Sequence, residues 1–112
     1  MGALLNRITL AKLEQEAGAD LLEELIMVFV DELDHRLLQL QQVRLPEQLQ
    51  QLAHSIDGVA QTFGADRLAT QAQRVEQQAM GSRLMPVAGT GELIQLLQLT
   101  CQQYRKQLTV RG

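Results

Sequence analysis

The chain has 112 residues, of which 46% are hydrophobic and only 3% aromatic, and its formal net charge is −3. This length fits one domain, so we expect residues 1–112 to fold around a single core. The acidic balance argues against nucleic-acid binding, which needs a basic surface. The longest apolar run, residues 25–30, is far shorter than the roughly 20 residues that span a bilayer. A single cysteine excludes an intramolecular disulfide, and we expect a cytoplasmic monomer without membrane insertion.

Apolar residues recur at helical spacing along the chain, and no segment resembles a strand. The predicted helices cover residues 9–17, 20–43, 46–63 and 66–80, and a last helix runs from a Thr90 cap to about residue 108. Gly18 is predicted as a left-handed C-cap, and Asp20 as an N-cap in a capping box with Glu23. Residues 81–90 are the expected loop. The predicted class is all-α: an antiparallel four-helix bundle with a short N-terminal lid helix.

The third predicted helix has one polar and one apolar side. At about 100° per residue, its apolar residues fall in one sector: Leu49, Leu52, Ala53, Ile56, Val59, Ala60 and Phe63. His54 lies roughly 150° from the centre of that sector. Its neighbours on the polar side are Glu47, Gln50, Gln51, Gly58 and Gln61. The periodicity therefore predicts that His54 faces solvent.

Gly58 lies one turn after His54 on the same side. A glycine inside a helix costs about 1 kcal/mol relative to alanine. One interpretation is that bare backbone beside the imidazole admits a close partner. The other is that Gly58 is a neutral surface glycine, which helices tolerate.

The run from Ala53 to Ala65, AHSIDGVAQTFGA, resembles the signature of histidine-containing phosphotransfer (HPt) domains, A-H-x-L-K-G-x-A-x-x-x-G. It is also similar to the phosphotransfer domain of chemotaxis histidine kinases. The resemblance implies that His54 is a phosphoacceptor in a two-component phosphorelay. It implies as partners a receiver domain of a response regulator, a sensor histidine kinase, or both. The receiver would supply Mg²⁺, so we expect no cofactor in this chain and no catalysis without a partner.

The resemblance also implies that the residues around His54 meet the receiver. The expected contact residues are Gln50, Gln51, Ser55, Asp57, Gly58 and Gln61. Asp57 departs from the family pattern, which usually has a lysine there. An aspartate opposes the charge of a phosphoryl group, and three positions from His54 it would also reach the second imidazole nitrogen.

Three hypotheses therefore stay open. The first is a working phosphocarrier, and the second is a degenerate docking or antagonist module that binds a receiver or kinase without phosphate. The third is a plain helical scaffold in which His54 has no role.

The remaining candidates have ordinary interpretations. His35 is expected to be solvated, and Cys101 to pack on the apolar face of the last helix. No histidine and cysteine spacing suits a metal, so no metal site is expected. Arg67 and Arg74 share a face of the fourth helix, where they either contact an acidic receiver surface or are simply solvated.

Overall fold

The computed structural model describes the backbone of residues 2–111 and the side chains up to Leu108. The helices are α1 Arg7–Ala17, α2 Ala19–Gln42, α3 Pro46–Phe63, α4 Asp66–Ala79 and α5 Val87–Arg111. Residues 2–111 contain no β-strand, so the predicted all-α class is confirmed. Within the same part of the chain, no helix combines the length and apolar character needed to cross a membrane.

The helices pack as an elongated bundle, 45 Å long and 22 by 19 Å across. α2 packs against α3 and α5, and α4 also packs against α3 and α5, so these four helices form a closed ring. The most extensive pairing is between α3 and α4, and α1 packs against α2 and α3. The apolar faces of all five helices contribute to one continuous core.

The start of α1 differs from the prediction by two residues. Asn6 is the N-cap, and its Oδ1 accepts hydrogen bonds from the backbone N–H groups of Ile8 (3.0 Å) and Thr9 (3.2 Å). Asparagine is among the strongest N-cap residues because its side chain satisfies amides that lack partners in the first turn.

The predicted capping box at the start of α2 is wrong. The N-cap is Gly18, and Asp20 lies inside the first turn. Gly18 joins α1 directly to α2: its N–H donates to the Glu14 carbonyl (2.7 Å), and its carbonyl accepts from the Leu22 N–H (3.0 Å). Its φ of 90° and ψ of 157° lie outside the left-handed helical region that we predicted.

The predicted Thr90 cap is also wrong, because α5 begins at Val87. The backbone N–H and the Oγ1 of Thr90 both donate to the Pro86 carbonyl, at 2.9 and 2.8 Å. Pro86 immediately precedes α5, where its missing N–H leaves no helical hydrogen bond unmade. The α4–α5 connection is therefore residues 80–86, shorter than the expected loop.

The turn between α3 and α4 is fixed by Gly64, which directly follows the predicted end of the third helix at residue 63. Gly64 has φ 80° and ψ 21°, the left-handed conformation that glycine adopts without strain. A Cβ at this position would lie 2.8 Å from the Thr9 Cβ. The Asn6 N–H donates to the Gly64 carbonyl (2.8 Å), so the N-terminal segment covers this turn.

Three aromatic rings meet in the core. Phe29 stacks on Phe63 with ring centroids 4.5 Å apart, and Tyr104 meets Phe29 edge-on at 4.8 Å. The buried Tyr104 hydroxyl donates to the Phe63 carbonyl (2.7 Å). Because Phe63 ends α3, its carbonyl belongs to the last turn, where helical partners are missing. Burial raises the pKa of the Tyr104 phenol, which therefore stays protonated and keeps this bond.

We expect Tyr104→Phe to lower the free energy of unfolding by about 1–2 kcal/mol, because it leaves a buried carbonyl without its donor. Urea denaturation followed by far-UV circular dichroism measures the change. Gln102→Ala, an exposed substitution on the same helix, is the control and should stay within about 0.5 kcal/mol of the wild type. Equal stability of Tyr104→Phe and the wild type would contradict the role of this bond.

Candidate functional site around His54

His54 lies on the solvent side of α3, as the periodicity predicted. Its side chain is 75% exposed. The adjacent Ala53 and the next core residue, Ile56, are both fully buried. Since the apolar face of α3 is anchored in the core, the backbone holds the imidazole at a fixed place on the surface. The prediction that His54 is a surface residue is confirmed.

The imidazole has one partner on the neighbouring helix α4. Its Nδ1 lies 3.1 Å from Oε2 of Glu76, whose side chain is only 17% exposed. A carboxylate only accepts hydrogen bonds, so in the neutral ring Nδ1 carries the hydrogen. The lone pair is then on Nε2, at the free end of the ring. This arrangement provides one oriented, accessible nitrogen nucleophile.

Asp57 was predicted to make this contact, and that prediction is wrong, because Glu76 occupies Nδ1. No role was predicted for Glu76. The Oδ1 of Asp57 accepts from the Nε2 amides of Gln61 (2.8 Å) and Gln73 (3.1 Å). Gln73 extends from α4, so the same helix pairing that brings Glu76 to His54 also holds Asp57. The one feature of the sequence that could have indicated Glu76 is its position directly after Val75, an apolar residue that is buried in the structure.

A shallow depression of about 350 Å³ lies beside the imidazole between α3 and α4. Its lining residues are Gln50, Gln51, His54 and Glu76. The two glutamines come from the turn before His54 and offer neutral hydrogen-bonding groups. Two of the predicted contact residues are therefore next to the imidazole.

Ser55 and Gln61 do not line this depression. Ser55 is half-buried and lines a groove of about 370 Å³ on the α2 side of α3. The lining residues of this groove are Arg36, Gln39, Gln42, Val43, Gln48, Gln51, Leu52 and Ser55. Gln51 belongs to both hollows and so lies between them. Gln61 is exposed, and its amide holds Asp57.

Arg67 and Arg74 do not join this group. They line a separate cavity of about 270 Å³ between α4 and α5, together with Gln71 and Glu92. Arg67 and Glu76 are nine positions apart, which puts them on roughly opposite sides of α4, about 180° apart. The two arginines thus face away from the imidazole.

The other candidates have no part in the site. His35 is exposed on α2. Cys101 is buried, as predicted, and its Sγ lies 3.8 Å from Oδ1 of Asp34. Burial and the Asp34 carboxylate raise the pKa of this thiol to about 12, so it carries no reactive thiolate at neutral pH. Among residues 2–111, no three His, Cys, Asp or Glu side chains are grouped to hold a metal ion.

Gly58 is exposed one turn from His54, and its backbone is open. Apart from its two chain neighbours and the nearby backbone of α3, no heavy atom lies within 4 Å of the position that a Cβ would occupy. Packing within the fold therefore gives no reason for a glycine here. Gly64, in contrast, is required by its backbone conformation and by the close N-terminal segment.

Bundle and site together define a class: a small helical module built around one accessible, carboxylate-oriented histidine. The family model for the Hpt domain matches residues 24–107, about three quarters of the chain. The phosphorelay protein LuxU of Vibrio harveyi is 30% identical over 106 residues, which cover 91% of this chain and 93% of that protein. No solved structure matches significantly. The chain belongs to the Hpt domain family, the histidine-containing phosphotransfer modules of phosphorelays.

We expect Gly58→Ala to raise the free energy of unfolding by about 1 kcal/mol, because alanine is the better helix former and its methyl group meets open space. Chemical denaturation measures the gain. Gly64→Ala is the matched control and should lower stability, since φ is 80° there and Thr9 is too close. Loss of stability in Gly58→Ala would mean that the fold itself needs this glycine.

Proposed function

We propose that His54 is the residue that carries the phosphoryl group and that Nε2 is the nitrogen that accepts it. The observation that supports this assignment is the contact between Nδ1 and Glu76, which leaves Nε2 free on an exposed ring. His35, the other histidine of the chain, is exposed on α2 and does not line the α3–α4 depression.

In the proposed reaction, Nε2 of His54 attacks the phosphorus of an aspartyl phosphate on a receiver domain. The N–P bond forms as the O–P bond breaks, and the electron pair leaves with the aspartate carboxylate. The imidazole gains positive charge, which the adjacent Glu76 carboxylate stabilises. The reverse sequence returns the phosphoryl group to a receiver. The chain acts as a carrier that needs its partner for catalysis.

The receiver would supply the remaining chemistry, including the Mg²⁺ ion that offsets phosphoryl charge. We infer that its active site closes over the α3–α4 depression, with contacts to Gln50, Gln51 and Gln61. The open backbone at Gly58 would let the receiver approach the ring closely. Ser55 would lie at the edge of this contact, toward α2. Arg67 and Arg74 could contact a partner only at the other side of α4, away from His54.

We further propose an antiparallel four-helix bundle of α2–α5 with α1 as a lid, forming one domain over residues 1–112. The closed ring of helix contacts and the short connections support this topology. A monomer in the cytoplasm suits a carrier that must meet its partners in turn. The partners are receiver domains of response regulators and sensor histidine kinases.

We expect incubation with a phosphorylated receiver or a cognate kinase to label the chain with acid-labile, alkali-stable phosphate, and His54→Gln to abolish the label. His35→Gln is the matched control and should label like the wild type. Phosphate that persists in His54→Gln would contradict the assignment of His54.

The same preparation separates a carrier from a docking module. Receiver binding should survive His54→Gln and weaken when Gly58 is replaced by tryptophan, since the bulky side chain obstructs the approach to the ring. If the wild type binds a receiver with the same dependence on Gly58 but never takes label, the chain is a docking or antagonist module.

We expect Glu76→Gln to slow phosphotransfer to and from His54 roughly tenfold to a hundredfold, the range found when the hydrogen-bond partner that orients a metal-bound histidine is changed. Rapid-mixing assays with the receiver measure the rate. The amide oxygen of glutamine still accepts a hydrogen bond from Nδ1, but more weakly than a carboxylate. The ¹⁵N shifts of the imidazole should therefore show a smaller population of the tautomer with hydrogen on Nδ1, which a merely structural role would not produce. Glu47→Gln, an exposed substitution at the start of α3, is the control. An unchanged tautomer with an unchanged rate would rule out an orienting role for Glu76.

A further inference from the structure

A second carboxylate, that of Asp57, lies near His54 and is held in place by two hydrogen bonds. Asp57 is half-buried one turn along α3. Its Oδ1 accepts two amide hydrogen bonds, from Gln61 of the same helix (2.8 Å) and Gln73 of α4 (3.1 Å). Both donors are neutral, so they fix the position of the negative charge without cancelling it.

Among the described side chains, no cation forms an ion pair with Asp57, and none lines the depression beside the imidazole. The lining beside the imidazole contributes only neutral amides and the Glu76 carboxylate. The nearest groove across α3 holds Arg36, and this arginine is already paired with Glu32 (2.8 Å). Arg67 and Arg74 line the cavity on the far side of α4. A phosphoryl group on His54 therefore meets a fixed negative charge from Asp57.

We propose that Asp57 shifts the equilibrium of the phosphoryl group from His54 toward the receiver aspartate. Phosphorylated His54 is then a transient state and not a store. This inference rests on the proposed function of His54. In the outward step the N–P bond at Nε2 breaks, and an O–P bond forms on the receiver aspartate. The electron pair returns to Nε2, while the Nδ1 hydrogen stays with the ring beside Glu76.

The physical reason is unequal repulsion in the two states. A phosphoryl group carries a charge of about −1.5 to −2 at neutral pH. Side chains three positions apart on a helix are neighbours, with Cβ atoms about 5–6 Å apart, so Asp57 repels the group only while it is on His54. Near a wet surface, this repulsion corresponds to a change of about three- to tenfold in the equilibrium constant. The net effect of Glu76 on phosphorylated His54 differs from that of Asp57, because Glu76 also stabilises the positive ring to which the phosphoryl group is attached.

Phosphoramidate tests the proposal without any partner protein. Its phosphoryl group passes to Nε2 and ammonia leaves, so one N–P bond replaces another. At fixed concentrations of phosphoramidate and ammonium, ³¹P NMR gives the ratio of phosphorylated to free His54. We expect Asp57→Asn, which keeps an acceptor for the two glutamines, to raise this ratio about three- to tenfold. Asp57→Lys should raise it further, because it reverses the charge. In 1 M salt, where the Debye length is about 3 Å, the gain should largely disappear.

Glu47→Gln is the matched control. It removes the same charge from the same side of α3, but seven positions from His54, or about 10 Å along the axis. We expect a change below about twofold there, since the charges are then one Debye length apart in 0.1 M salt. If Asp57→Asn also changes the ratio less than twofold, or if its gain is the same in 1 M salt, the proposal is overturned while His54 remains the acceptor. If the wild type takes no label on His54, the proposed function itself fails.

Discussion

The pairing of α3 with α4 is the constraint on which the site depends, and the hydrogen bond from His54 to Glu76 is its chemical result. An exposed histidine on an isolated helix would rotate freely and exchange its two tautomers. The carboxylate that fixes it comes from 22 positions further along the chain, so its place depends on how the two helices are aligned. Gly64 sets that alignment by reversing the chain in one turn, and Phe63, just before it, is tied to the core through Tyr104.

The solvent-facing position of His54 could be predicted because it follows from the period of a single helix. Leu49, Ile56 and Phe63 fix which side of α3 is buried, and the opposite side follows from geometry alone. Glu76 could not be found in this way, because no local spacing relates α3 to α4. Asp57 shows the same limit. Its position three residues from His54 made a contact plausible, but Gln73 of the neighbouring helix competes for the carboxylate.

Helix interiors were predicted better than helix ends for a related reason. An interior is specified by many apolar residues at once, whereas an end depends on which of several polar groups makes the cap. Asn6 caps α1 although Thr9 was the predicted start, and Pro86 precedes α5 although Thr90 had the side chain of a typical cap. Gly18 begins α2 without any side-chain cap, because its backbone serves both α1 and α2. Such choices depend on connections between neighbouring elements, which composition does not reveal.

The two carboxylates beside His54 have different electrostatic consequences. Glu76 touches the ring at Nδ1, so it acts on the imidazole in every state and most strongly when the ring gains positive charge. Asp57 has no hydrogen bond with the ring in this structure and interacts with the phosphoryl group only after the N–P bond has formed. In the proposed reaction, Glu76 therefore governs how readily Nε2 reacts, and Asp57 governs how much phosphorylated His54 is present at equilibrium. Because α4 supplies both Glu76 and the Gln73 amide that holds Asp57, the proposed speed of transfer and its proposed direction both depend on a single helix pairing.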